Sequence, residues 1–265
     1  MKLSIKNVGK LKEADVEING ITVIAGENNT GKSTVSKALF SLFNGFYNFD
    51  NKMLELKSGD IRNIFLRFIK KLNRENSNIL IDIPDKIVKD TSYKFDRNKL
   101  IKLIQENRNF ISIEYLGEVS EKIFDILNIK DEEYLENTIS YILNNEFDNQ
   151  INTIWSDDLG EIALKIKENE LKLKIKNNKV IKIENKINLR SEVIYIDDPF
   201  VIDNLNEYKW RDINYLENHK ESLETKLIRE KNEKTFSEKI IAKNNLQQIT
   251  EKLKEVINGK IKFNQ

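Results

Sequence analysis

The sequence predicts an α/β fold, and three observations predict it. A short apolar run, a glycine-rich loop and an amphipathic stretch follow one another directly over 21–43. Hydrophobic residues recur with a helical period over most of 46–154 and again after 206. Between 160 and 184 the period falls to two, the mark of strands with one face in solvent.

In order along the chain, Leu3 and Ile5, then Ala14, Val16 and Ile18, alternate about a turn near Gly9-Lys10, as a two-stranded hairpin does. Asn19-Gly20 is a second turn. Ile21-Thr22-Val23-Ile24-Ala25 is continuous in apolar character, so a strand buried on both faces is expected there. Val35, Ala38, Leu39, Leu42 and Phe43 then fall on one helix face, with a stop signal at Asn44-Gly45. Ile61, Ile64, Phe65, Phe68, Ile69 and Leu72 predict a helix, as do Leu100, Leu103 and Ile104. Ile123, Ile126 and Leu127, and then Tyr134, Leu135, Ile139, Ile142 and Leu143, predict two more. Pro84 is expected to interrupt the apolar run Ile79–Ile83.

Ile162, Leu164 and Ile166, then Leu171, Leu173 and Ile175, then Ile181 and Ile183, predict an antiparallel meander. Val193-Ile194-Tyr195-Ile196 is a second buried-strand candidate, ending at Asp197-Asp198-Pro199. Ile213, Leu216, Leu223 and Leu227, and after a break Leu246, Ile249, Leu253 and Val256, predict a coiled-coil-like helical hairpin. The expected division is 1–45 as a loop-bearing lobe, 46–154 as a helical insertion, 155–205 as meander and strand, and 206–265 as a helical arm.

Composition excludes several classes of chemistry. Forty-four Lys and Arg balance 43 Asp and Glu, so the chain is not a globally basic nucleic-acid binder. Without Cys it has no disulfide framework, thiolate zinc site or Cys nucleophile. A single His, His219, rules out a His-pair metal site. It is expected on a helix surface. No apolar run approaches the roughly 18 residues that cross a bilayer. Met1–Lys6 alternates and has no apolar stretch of the leader type, and a cytoplasmic setting is expected. Lys165, Lys167, Lys172, Lys174 and Lys176 either follow a nucleic-acid backbone or form the solvated face of a sheet. Trp155 and Trp210 are expected as core anchors.

Gly26-Glu27-Asn28-Asn29-Thr30-Gly31-Lys32-Ser33 fits G-x-x-x-x-G-K-[ST] in full. Such a loop wraps a phosphate chain in backbone N–H groups, and side chains with a Cβ would block parts of it. Asn28 and Asn29 tolerate left-handed backbone. The following helix adds its free N–H groups and positive dipole end. Lys32 reaches the β- and γ-phosphates, the Ser33 hydroxyl ligates Mg²⁺, and Thr34 adds a hydroxyl for the α-phosphate. The expected ligand is ATP with Mg²⁺.

The order of hairpin, Asn-Gly, apolar strand and GENNTGKST resembles the amino-terminal lobe of ABC-like AAA ATPases. These are the relatives of RecF, of the structural-maintenance-of-chromosomes proteins and of the overcoming-lysogenization-defect nucleases. Leu3-Ser4-Ile5-Lys6-Asn7-Val8-Gly9 is similar to their opening strand, and Asn28 stands where that family usually carries Asn. The specific part of the match covers 3–43. The resemblance implies a P-loop NTPase head with a mixed sheet and an antiparallel β-subdomain at 160–184, ATP hydrolysis, and a homodimer that sandwiches ATP between two heads. It also implies a DNA or effector-protein partner, as in DNA processing or anti-phage defence.

The sequence departs from the family in lacking a signature motif of the LSGG type. Its nearest Walker B is Val193–Asp198, in which Asp197 would hold Mg²⁺ through water and Asp198 would stand for the usual catalytic Glu. The other reading makes 193–198 a strand end at a junction, with the true Walker B beyond residue 265 and the chain an amino-terminal portion. Two further functions share the loop: a small-molecule kinase, and a nucleotide-binding module without hydrolysis.

Overall fold

The computed structural model describes residues 1–68, 74–106, 115–197, 218–223 and 226, with main chain alone over 74–81. β1 (Lys2–Val8) and β2 (Leu11–Glu17) form the expected hairpin, with Leu3 opposite Val16 and Ile5 opposite Ala14. On its other edge β1 pairs with β3 (Gly160–Ile166), so two stretches some 150 residues apart in the chain share one sheet. β4 (Asn169–Lys176) and β5 (Lys179–Glu184) continue it, giving a five-stranded sheet of order β2-β1-β3-β4-β5.

Every pair in this sheet is antiparallel, which corrects the mixed sheet expected from the resemblance. Alternation aligns Leu3, Ile5, Ile162, Leu164, Leu171, Leu173 and Ile175 on one buried face. Each such side chain withdrawn from water contributes about 1.5–3 kcal/mol. Asn177 and Asn178 turn β4 into β5 with φ of 53° and 58°, the left-handed pair that a tight hairpin needs.

The apolar face is covered by α1 (Lys32–Phe46) and α6 (Asp131–Glu146). The two helices meet at Gly45, where an added Cβ would collide with the Ile139 side chain. Gly45 therefore lies inside α1 as a close-approach residue, and the helix runs on to Phe46 rather than stopping at Asn44-Gly45. α6 is fastened to the sheet by Ser140, whose Oγ accepts the Val180 N–H at 2.8 Å, and by Asn144, which donates to the Asn178 carbonyl at 3.0 Å.

α2 (Phe49–Phe68) spans two cores. Its Phe49 and Met53 join the sheet core. Its Ile61, Ile64 and Phe65 pack with Ile83 and Ile87 of α3 (Arg74–Lys89), Leu100, Leu103 and Ile104 of α4 (Arg97–Glu106), and Val119 and Ile123 of α5 (Leu116–Asn128). The helical stretch 46–154 is thus divided, with α6 belonging to the sheet. α3 runs through Pro84, which corrects the interruption expected there: the proline removes one helical hydrogen bond, and burial of Ile83, Ile87 and Val88 outweighs that loss.

Two expected strands are absent from the sheet. Residues 21–25 form no strand, and Ile21, Val23 and Ile24 are exposed, Val23 by 82%. Residues 193–196 form none either, with Ile194 and Ile196 more than half exposed. A strand buried on both faces requires a sheet to join and a layer packed on each face, and among the described residues neither segment has them. Trp155 is also exposed, by 78%, rather than a core anchor. Trp210, and all of the helical arm except 218–223 and 226, lie outside the described residues. No helix among the described residues is long and apolar enough to cross a membrane.

Candidate functional site

The glycine-rich loop stands at the start of α1, and the β1–β2 turn buttresses it. Leu11 packs beneath Gly31, so closely that a Cβ on Gly31 would lie 2.5 Å from Leu11 Cδ2. Thr34, buried, lies against Gly9, where an added Cβ would come within 3.1 Å of its hydroxyl. Lys10 Nζ donates to Asn29 Oδ1. The hairpin thus shapes the loop from below while residues 26–30 remain exposed.

Gly31 takes φ 89° at the N-cap of α1, and Asn29 takes φ 70°. These are the left-handed positions expected of a residue without Cβ and of an Asn. Gly31 has two independent reasons to be glycine, its backbone angle and the Leu11 contact. No side chain caps α1 and its first turn carries no acid; the Thr34 N–H turns back to the Gly31 carbonyl at 3.0 Å, and the positive dipole end of the helix faces the loop. Thr30 Oγ1 donates to the Glu27 carbonyl at 2.9 Å and closes the loop on itself. Lys32 folds back over it, donating from Nζ to the Gly26 carbonyl at 2.7 Å and also to that of Glu27. Asn28 is exposed on the loop, and Ser33 is exposed one residue into the helix.

Asp197 is carried by the stretch that follows β5. After β5 the chain bonds to the C-terminal end of α1, where Leu189 N–H donates to the Phe46 carbonyl at 2.9 Å. It then runs back along the helix, and the Tyr195 ring lies 6.2 Å from that of Phe40. This direction, antiparallel to α1, is the one a Walker B segment would need. Tyr195 thus stands level with Phe40, about 12 Å along α1 from Lys32 at about 1.5 Å per residue, and Asp197 follows two residues further on. Asp198 lies outside the described residues.

Asp197 is instead engaged by His219, the residue that sequence reasoning placed on the surface. His219 is buried, 7% exposed, with its ring 4.4 Å from that of Tyr195. Its Nδ1 lies 2.7 Å from Glu146 Oε2, and its backbone N–H donates to Glu146 Oε1 at 2.6 Å. Its Nε2 lies 3.0 Å from Asp197 Oδ2, an ion-pair distance, yet it makes no aligned hydrogen bond. Asn218 Oδ1 accepts the Lys220 and Glu221 N–H groups at 3.1 Å, so a capped helical turn carries the histidine.

Burial alone would push the His219 imidazole down. The Glu146 and Asp197 carboxylates outweigh it and hold the imidazole above its ordinary value. Burial likewise works to raise Asp197, and His219 with Lys220 overcomes it, so the carboxyl sits below the usual range. No pattern of spacing signals this cluster, because Glu146, Asp197 and His219 come from three separate stretches of sequence.

Among the described residues no group of three His, Cys, Asp or Glu is arranged to hold a metal ion. The imidazole stands between the two carboxylates and keeps them from converging. On the sheet's outer face Lys172 pairs with Glu161 at 2.8 Å, and Lys174 and Lys182 with Glu184 at 3.0 and 2.9 Å, while Lys165 and Lys176 are exposed. The centre of that face is therefore a set of ion pairs. No family model, curated protein or solved structure matches the chain.

Proposed function

We propose that residues 26–34 bind the phosphate chain of Mg-ATP and that the chain is the nucleotide-binding part of an ABC-like AAA ATPase with a P-loop head, working in the cytoplasm. The observation that carries this reading is the conjunction at Gly31: a left-handed glycine at the N-cap of a helix with no side-chain cap, followed by a lysine arched over the loop. Exchanging the Gly26 and Glu27 carbonyls for phosphate oxygens turns Lys32 from a loop tie into a phosphate ligand. Gly26 through Gly31 supply backbone N–H groups, and Thr34 borders them.

Ser33 offers an exposed hydroxyl beside the anion site, a hard oxygen donor suited to Mg²⁺. The metal, when bound, would neutralise phosphate charge, with Asp197 the candidate acid for its outer shell. In the full assembly two heads would sandwich ATP as a homodimer, with DNA or an effector protein as the responding partner.

A second reading, nucleotide binding without turnover, is favoured by the engagement of Asp197 with His219. Displacement of a fluorescent ATP analogue tests phosphate recognition. ATP and ADP are expected to compete and adenosine to fail. Equal competition by adenosine would sink the phosphate-loop reading.

A further inference from the structure

The turn between β1 and β2 puts a second lysine on the glycine-rich loop, one to which the nucleotide reading gives no part. Val8 pairs with Leu11, so the turn is Gly9-Lys10 alone. It is held from several directions. The Gly9 N–H donates to the Ile151 carbonyl at 2.7 Å. Gly9 itself takes φ 55° and lies against Thr34. On the other side Leu11 packs beneath Gly31. Lys10 therefore stands between two residues that touch Thr34 and Gly31, and its own Nζ donates to Asn29 Oδ1. The side chain is exposed.

Lys10 and Lys32 meet the loop at different points. Lys32 Nζ lies on the Gly26 and Glu27 carbonyls, where the loop begins, and Lys10 Nζ lies on the Asn29 side chain. Both ammonium groups thus hold neutral oxygens. Lys2 of β1 pairs with Asp15 and Lys37 of α1 with Asp148, but among the described residues neither Lys10 nor Lys32 forms an ion pair. Glu27, the acid of the loop, meets Lys32 through its main-chain carbonyl. A phosphate oxygen is a charged acceptor, and its bond to an ammonium is roughly twice as strong as a neutral one. Lys10 would exchange the Asn29 amide for phosphate just as Lys32 would exchange the two carbonyls.

We propose, on the footing of the nucleotide reading above, that Lys10 is a second phosphate ligand, so that two lysines close on one polyphosphate chain from two points of the loop. The ligand class is then a nucleoside di- or triphosphate. An ion pair between freely moving exposed groups changes affinity by less than about fivefold. Lys10 starts from a turn already fixed against Ile151, Thr34 and Gly31, so less ordering opposes its contact. About tenfold is expected of it.

The test is calorimetric titration of ADP and ATP into wild type, Lys10→Met and Lys10→Arg. Lys10→Met keeps the apolar stem and removes the charge at an exposed site, so thermal unfolding should be unchanged. It should weaken both nucleotides about tenfold, and Lys10→Arg should hold them within about threefold of wild type. Inorganic pyrophosphate, displacing a fluorescent ATP analogue, should lose about the same factor in Lys10→Met, because the contact is to phosphate.

Asn29→Gly separates a ligand from a residue that merely shapes the loop. It keeps the left-handed backbone at φ 70° and removes the amide that holds Lys10. In that background Lys10→Met should still weaken ADP about tenfold. Loss of the effect there would mean that the lysine acts through Asn29, and overturns the inference. So does unweakened nucleotide or pyrophosphate binding by Lys10→Met. If Lys32→Ala abolishes ATP binding while Lys10→Met leaves it intact, only this inference falls. If a folded wild type binds neither nucleotide, the nucleotide reading falls and this inference with it.

Discussion

His219 closes both oxygens of the Glu146 carboxylate, at 2.6 Å through its backbone N–H and 2.7 Å through Nδ1, in a site where the Glu146 side chain has no exposure. One residue thus joins the end of α6 to a segment more than 70 positions later and ties that segment to the sheet core.

Removing one member of such a pair leaves the other buried and uncompensated. Glu146→Ala is therefore expected to destabilise the protein by about 3 kcal/mol, visible as a lowered midpoint in urea. The paired replacement Glu146→Gln with His219→Gln should recover most of that loss. A Glu146→Ala midpoint equal to wild type would show that the pair does not form in solution.

Two groups give stability opposite slopes with pH. His219 has a folded-state value raised above 6.5, so its contribution is complete below 6.5 and is lost as pH climbs through the raised value. Burial, with Lys226 nearby, pushes the Lys52 ammonium down from 10.5 to about 7. Its penalty is therefore full below pH 7 and fades as pH rises towards 10.5. Lys52→Met is expected to unfold later than wild type at pH 6.5, with the gap closing by pH 10, even after loss of the bond to the Asn44 carbonyl. A gap that widens with pH would reverse the assignment.

Gly31→Ala should impair both fold and site. The substitution places a Cβ at φ 89° and against Leu11, at a cost of about 1–2 kcal/mol for the left-handed backbone alone. Thermal unfolding should register this, and fluorescent ATP analogue binding should weaken in parallel. By contrast Trp155→Ala, at a side chain 78% exposed, should shift stability by less than about 0.5 kcal/mol.

The legible parts of this fold were those governed by local period and turn chemistry. The hairpin, α1, the meander at 160–184 and helices α4, α5 and α6 all follow from spacing, because one apolar face against one polar face fixes both period and orientation. In the loop the left-handed Asn29 and Gly31 were legible, whereas Asn28, named beside Asn29, does not take that conformation. What spacing does not carry is partnership across the chain. An apolar run such as Ile21–Ala25 announces a preference for burial without naming a neighbour, and no neighbour stands beside it among the described residues. Trp155 fails as an anchor for the same reason. His219 looked like a surface residue because its own stretch is polar; its burial comes from Glu146, Phe40 and Tyr195, which are distant in sequence.

Phosphate recognition rests on Lys32 and the loop it closes. Calorimetric titration of Mg-ATP into wild type and into Lys32→Ala tests it most directly. The expected result is saturable binding by wild type, weakened by about tenfold or more in the variant, as for loss of a charge-assisted phosphate contact, with both proteins unfolding at similar temperatures. Equal affinities in the two proteins, or no binding by a folded wild type, would contradict it.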